Sequence, residues 1–167
     1  NMWQILAILS LMITTGLRTI EVIRADIGDL RAIGNDTVLY IQGKGHDEKT
    51  DFVKVSEPVE MAIREYLRNR QTDDSQPLFA SEANRNKGDR MTTRSISRIV
   101  KGKLINAGFN SDRLTAHSLR HTAATLNLLN GGTIEETQQL LRHTSINTTM
   151  IYSHHLDRMR NNSEDRV

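Results

Sequence analysis

Apolar side chains fall almost all round the helical circuit between Met2 and Ile13. A helix that is hydrophobic on every face is a buried one, so residues 2–13 are expected to run through the core. "TTG" (Thr14 to Gly16) breaks that helix, and Leu17 to Ala25 starts a second, short one. From Leu30 to Val55 the texture changes. "TVLYIQG" and "TDFVKV" are β-rich runs on either side of the polar turn "KGHDEK", which predicts a β-hairpin with "LRAIG" as a third strand.

Helical periodicity then returns. Ser56 is placed to cap a helix with Pro58 in its first turn, and Val59, Met61, Ala62, Ile63, Tyr66 and Leu67 suit one face. "TDDSQP" and "SEANRNKGDR" read as loops without order. Thr92 or Thr93 caps the next helix, on which Ile96, Ile99, Val100, Leu104 and Ile105 repeat with helical spacing until Gly108 ends it. "HSLRHTAATLNLLN" is closed by Gly131 and Gly132. "IEETQQLLRH" opens on a capping box of Thr133 and Glu136, and a last helix is expected from about Asn147. The expected class is α+β, mainly α-helical, with a small three-stranded antiparallel sheet.

Composition narrows the chemistry. The 167 residues suit one domain able to bury a core without staples, and they contain no cysteine, which excludes disulfides and thiolate nucleophiles. A formal charge of +2 permits a polyanionic partner without demanding one. The apolar run at the start is too short to span a bilayer and lacks a basic leader and a cleavage site. These features favour a reducing cytosol. A chain that opens inside an apolar helix reads as a fragment whose preceding domain is missing.

Four stretches could carry function. In "HSLRHT" (His117 to Thr122) the residues His117, Arg120 and His121 share one helical face. Two histidines four apart are a legitimate metal-ligand spacing, but Ser118 stands where the metalloprotease motif needs Glu, and a guanidinium would repel a divalent cation. An anion site is the alternative, since Arg offers a planar fork for two phosphate oxygens. An exposed basic helix with no ligand is equally open. In "TGLRTIE", Glu21 lies three residues after Arg18, placed to hold its guanidinium or to form a routine surface pair. "GKG" sets Lys44 at a hairpin tip, where flanking glycines permit unusual backbone angles; a solubilising turn lysine is the plain reading. His143 precedes Tyr152 by nine residues. Tyrosine is an uncommon nucleophile, and a lone one is usually a core residue.

Their joint order resembles the catalytic domain of the tyrosine recombinase, or phage-integrase, family: Arg18, Lys44, His117 with Arg120, His143, Tyr152. The wording "TGLRTIE", "GKG", "AHSLRHTAAT" and "HTSINTTMIYSH" is similar too, from about Ile5 to His155. The resemblance implies a helical catalytic domain with a small sheet over residues 1–155. Residues 156–167 would form a tail that is either a solvated end or a segment packed on a neighbouring protomer. The family's N-terminal core-binding domain is absent from this chain.

The resemblance also implies roles. Arg18 and Arg120 would clamp the scissile phosphate. Tyr152 would attack phosphorus and form a 3′-phosphotyrosyl link, and Lys44 would protonate the leaving 5′-oxygen. His117 would assist proton movement at the tyrosine, and His143 would donate a further hydrogen bond to the phosphate. Glu21 would support Arg18, and His121 would be structural support. No metal and no cofactor are implied. The implied activity is site-specific DNA recombination, integrating or excising a mobile element or resolving DNA. The implied partner is a double-stranded recombination site, with a tetramer on two duplexes for the full-length protein, no membrane, and a bacterial or phage-encoded, nucleoid-associated setting in the cytoplasm. A catalytically silent DNA-binding module of the same fold, or a type IB topoisomerase-like enzyme, are the alternatives. Two departures stand out. Arg142 occupies a position where the family often has Gly before the second histidine, and Lys49 in the same hairpin is a fallback for Lys44.

Overall fold

The long apolar stretch at the start does become a core helix, but it is not buried on every face: Met2, Trp3 and Leu6 are exposed near its N-terminus. The computed structural model describes residues 1–43, 45–70, 72–142, 149, 150, 154 and 157. Helix α1 (Met2–Thr15) runs two residues past the expected end, and the Asn1 side chain caps it by accepting from the N–H groups of Trp3 and Gln4. Ala7, Ile8, Leu11 and Met12 are fully buried. Burying each large aliphatic side chain contributes roughly 1.5–3 kcal/mol. Gly16 ends the helix in the left-handed region, φ 67°.

Helix α2 (Thr19–Arg24) follows directly. The sheet comprises β1 (Leu30–Ile33), β2 (Asp36–Ile41) and β3 (Asp51–Val55), antiparallel in the order β1-β2-β3. Leu39 pairs with Val53, and alternation along the strands sends Leu39, Ile41, Val53 and Val55 into the core.

Helix α3 (Glu57–Leu67) packs across α1, with Ser56 at its N-cap and Pro58 in its first turn. Val59, Ala62, Ile63 and Tyr66 are buried as the periodicity requires, whereas Met61 is largely exposed. At about 100° per residue, Met61 points to the opposite side of α3 from Val59, Ala62, Ile63 and Tyr66. Thr92 caps α4 (Thr93–Asn106), which buries Ile96 and Val100 but leaves Ile105 exposed near the helix end. Helix α5 (Ala116–Leu129) lies against α1 and against α6 (Ile134–Leu141). The capping box of α6 is present: Thr133 Oγ1 accepts from the Glu136 N–H, and Glu136 Oε2 accepts from the Thr133 N–H. Of the helix expected from Asn147, the described residues Thr149, Met150, His154 and Asp157 are all helical.

The segment between α3 and α4 corrects the reading of two orderless loops. It holds a 3-10 turn at Asn84–Asn86 and isolated bridges from Pro77 to Asp26 and from Ala80 to Arg90. Leu78 and Phe79 are core residues. Gln4, buried on α1, donates to the Ala80 carbonyl and to the Tyr66 hydroxyl, which in turn accepts from the Ala80 N–H. Polar side chains from two helices thus supply the hydrogen bonds that a third strand would otherwise give.

Candidate active site

Arg18 stands at the junction of α1 and α2 because Gly16 lets the chain turn there. A Cβ on Gly16 would lie 2.7 Å from Cδ2 of the buried Leu141 on α6, which would have to shift, and the positive φ independently favours glycine. Arg18 is the N-cap of α2 rather than a residue of its first turn. Glu21, 1% exposed, reaches back to accept from the Arg18 backbone N–H at 2.7 Å and from Arg18 Nη1 at 3.3 Å. The expected i,i+3 pair therefore exists, with its carboxylate buried rather than on the surface.

The facing wall is α5. Arg120 projects from it and is 2% exposed, which rules out an exposed basic helix at this position. Nη1 donates to the Gly16 carbonyl at 2.5 Å, and Nη2 donates to the Leu141 carbonyl. Both acceptors are carbonyls at helix ends. A guanidinium has five N–H donors in a fixed plane, so these two bonds set the direction in which the fork points.

His117 lies one turn before Arg120, and its ring packs edge-to-face on His121 with centroids 4.6 Å apart. Both residues are exposed on the whole, yet partial burial and neighbouring charges push both rings below the ordinary histidine value. For His117 the causes are desolvation, then Arg120 and Arg18; for His121 they are desolvation, then His117 and Arg120. At neutral pH His117 is thus held in the neutral form, which can accept a proton.

Arg18, His117 and Arg120 meet around a cavity of about 540 Å³ bounded also by Leu17 and Arg24, with no carboxylate among the described residues of its lining. A second cavity, about 460 Å³, lies on the other side of Arg18 and is bounded by Glu21, Gly43, His46 and Arg142. Three guanidiniums and a neutral imidazole around one concave surface suit a doubly coordinated anion such as a phosphodiester.

The sequence pattern of the phage integrase family matches residues 2–159. The chain belongs to the phage integrase family. A tyrosine recombinase XerC from Corynebacterium glutamicum is 36% identical over 150 residues, covering 89% of this chain and 46% of that protein. The crystal structure of a XerH site-specific recombinase bound to palindromic difH substrate, in a post-cleavage complex, superposes with a TM-score of 0.78 at 25% identity, over 95% of this chain and 44% of that one. The crystal structure of XerA recombinase gives 0.73 at 34% identity, over 91% and 52%. This chain spans about half the length of such relatives.

Within the phage integrase fold, the structure brings together Arg18, Glu21, His117, Arg120 and His121 from the set read in the sequence. Lys44, His143 and Tyr152 lie outside the described residues. Around Lys44, Gly45 has φ 79°, as a turn glycine should, whereas Gly43 is not in the positive region. Lys49, the fallback for Lys44, is engaged by two carboxylates. It bridges Asp26 at 2.8 Å and Asp29 at 2.5 Å, which hold its ammonium charged against the opposing effect of burial.

Two arginines were missed. Arg24 lines the larger cavity and donates from Nη1 to the Gly43 carbonyl at 3.0 Å, joining α2 to the hairpin. Its position as the last residue of a short helix gave no sign of this. Arg142 binds Glu21, Nη2 to Oε2 at 2.6 Å. The local backbone there was readable: Arg142 has φ 56° and ψ 40°, left-handed angles that glycine adopts freely.

Proposed function

We propose that this chain is the catalytic domain of a site-specific DNA recombinase that cuts and rejoins DNA through a 3′-phosphotyrosyl intermediate. The observation that carries the reading is the convergence of Arg18 and Arg120 from opposite walls on one cavity with no carboxylate among its described lining residues, with neutral His117 beside them. The DNA-bound recombinase among its structural relatives supports double-stranded DNA as the partner.

In this mechanism the Tyr152 oxygen attacks phosphorus while His117 accepts its proton. The two guanidiniums neutralise the non-bridging oxygens, where negative charge rises in the transition state. The P–O5′ bond breaks, and Lys44 supplies the proton that the 5′-oxygen takes. His143 adds a hydrogen bond to the phosphate, Glu21 orients Arg18, and His121 supports His117. The phosphotyrosyl bond conserves the energy of the broken linkage, so a 5′-hydroxyl from another strand can reverse the step. Residues 1–155 carry this chemistry. The segment 156–167, a tetramer on two duplexes, and a cytoplasmic, nucleoid-associated setting belong to the same reading for the full-length protein. Among the described residues no helix is long and apolar enough to cross a membrane.

The test is covalent trapping. The full-length protein is incubated with nicked fragments of its source DNA, and adducts resistant to phosphatase but sensitive to protease are collected and sequenced. A recurrent site trapped by the unsubstituted protein and absent with Tyr152→Phe supports the reading. No adduct on any fragment would overturn it.

A further inference from the structure

Glu21 holds a second guanidinium that the reaction above leaves unused. Arg142 closes α6 in the left-handed region and is the sole non-glycine residue with positive φ among those described. Side chains rarely adopt that conformation without compensation, and here the side chain is latched. Arg142 Nη2 and Nε donate to Glu21 Oε2 and Oε1 at 2.6 and 3.4 Å, and Nη1 donates to the Leu140 carbonyl at 2.7 Å. The Arg142 side chain is 11% exposed, against 33% for Arg18, whose side chain meets the same carboxylate through one nitrogen at 3.3 Å. The closer, better buried bond thus belongs to Arg142.

That asymmetry has an electrostatic consequence. A buried carboxylate beside a single guanidinium cancels most of its charge and draws its fork inward. With two guanidiniums on one carboxylate, a net positive charge remains. All three groups line the smaller cavity, and Arg18 alone of them also borders the larger one, so it is through Arg18 that the charge reaches that cavity. We propose that Arg142 is a positioning residue acting through Glu21: it satisfies the buried carboxylate and leaves the positive charge of Arg18 to a phosphate in the cavity between α2 and α5. The inference rests on reading that cavity as a phosphate site, and it extends the reading to a residue with no direct contact there.

Inorganic phosphate is a sufficient probe. The chain is titrated with it at low ionic strength while the Arg18 Nε–Hε signal, identified by its loss in Arg18→Ala, is followed by nuclear magnetic resonance. Arg142→Gln should weaken phosphate binding on the order of tenfold, as expected when a neighbouring charge is removed from a partly desolvated site. Arg142→Gly should do the same while relieving the positive φ, which separates lost charge from a damaged fold. The deciding variant is Arg142→Gln combined with Glu21→Gln. Removing the carboxylate as well should return the affinity to near that of the unsubstituted chain, since nothing then opposes Arg18. A residue that merely tied α6 to α2 would show no such recovery, because the double variant lacks both halves of the tie. Unchanged affinity in Arg142→Gln and Arg142→Gly, or a double variant no tighter than Arg142→Gln, would overturn the proposal. Phosphate binding indifferent to Arg18→Ala would overturn the phosphate reading together with it, whereas covalent trapping reports on Tyr152 independently of both.

Discussion

Arg18 and Arg120 face one cavity, but opposite means hold them there. Arg120 is buried and its fork is set by two main-chain carbonyls, from Gly16 and Leu141. Arg18 is a third exposed and leans on a carboxylate that it shares with Arg142. The first arrangement makes the arginine part of the fold, because α1, α5 and α6 meet through it. The second leaves the arginine adjustable, since the charge on Glu21 can be divided between two partners. A phosphate clamp built this way has one fixed jaw and one tuned jaw.

The sharpest way to break this comparison is Arg120→Ala. Two buried carbonyls lose their donors, so unfolding free energy should fall by about 2–5 kcal/mol in urea denaturation. Covalent trapping should be lost as well. A drop under about 1 kcal/mol would show that α1 and α6 do not depend on Arg120. Gly16→Ala probes the same junction from the backbone side. The positive φ and the 2.7 Å approach to Leu141 should together cost about 1–3 kcal/mol, read as a lowered denaturation midpoint. Thr133→Ala loosens the far end of α6 by removing its cap and should cost about 1 kcal/mol.

Arg18→Ala should behave differently from all three. Its ion pair is partly exposed, so stability should change by less than about 1 kcal/mol, yet trapping should fall by about 100-fold or more. A large loss of stability would place Arg18 in the scaffold beside Arg120. The smallest expected effect is pH dependence. His117 and His121 have folded values below the ordinary 6.5, so the stability they contribute is present above that pH and lost as pH falls through their folded values. The urea midpoint should decline over that window, and Arg120→Gln should flatten the decline by removing a neighbouring cation.

The periodicity made the fold legible where one face of an element meets the core: α1, α3, α4 and the hairpin all lie where their apolar spacing put them. It failed at Leu78 and Phe79, which are buried without belonging to any helix or strand, so their short apolar run had no period to read. In the site, ordered motifs carried Arg18, Glu21, His117 and Arg120. The burial of Arg120 was not readable, since a guanidinium inside a protein depends on carbonyls supplied by residues 104 and 21 positions away. Arg24 was hidden for a similar reason: its partner is a backbone atom of the hairpin. The left-handed turn at Arg142 was foreshadowed by the glycine that the family resemblance implied there, but its grip on Glu21 was not.

Gly16 and Leu141 have one more property in common: each sits at the C-terminal end of a helix, α1 and α6 respectively. Aligned peptide dipoles give such an end roughly half an elementary negative charge. Two of them converge on Arg120, and the counter-charge they supply comes from the backbone and carries no proton to gain or lose. In acid the fixed jaw should keep its hold. The fold has built half of its anion clamp from a source of charge that does not titrate.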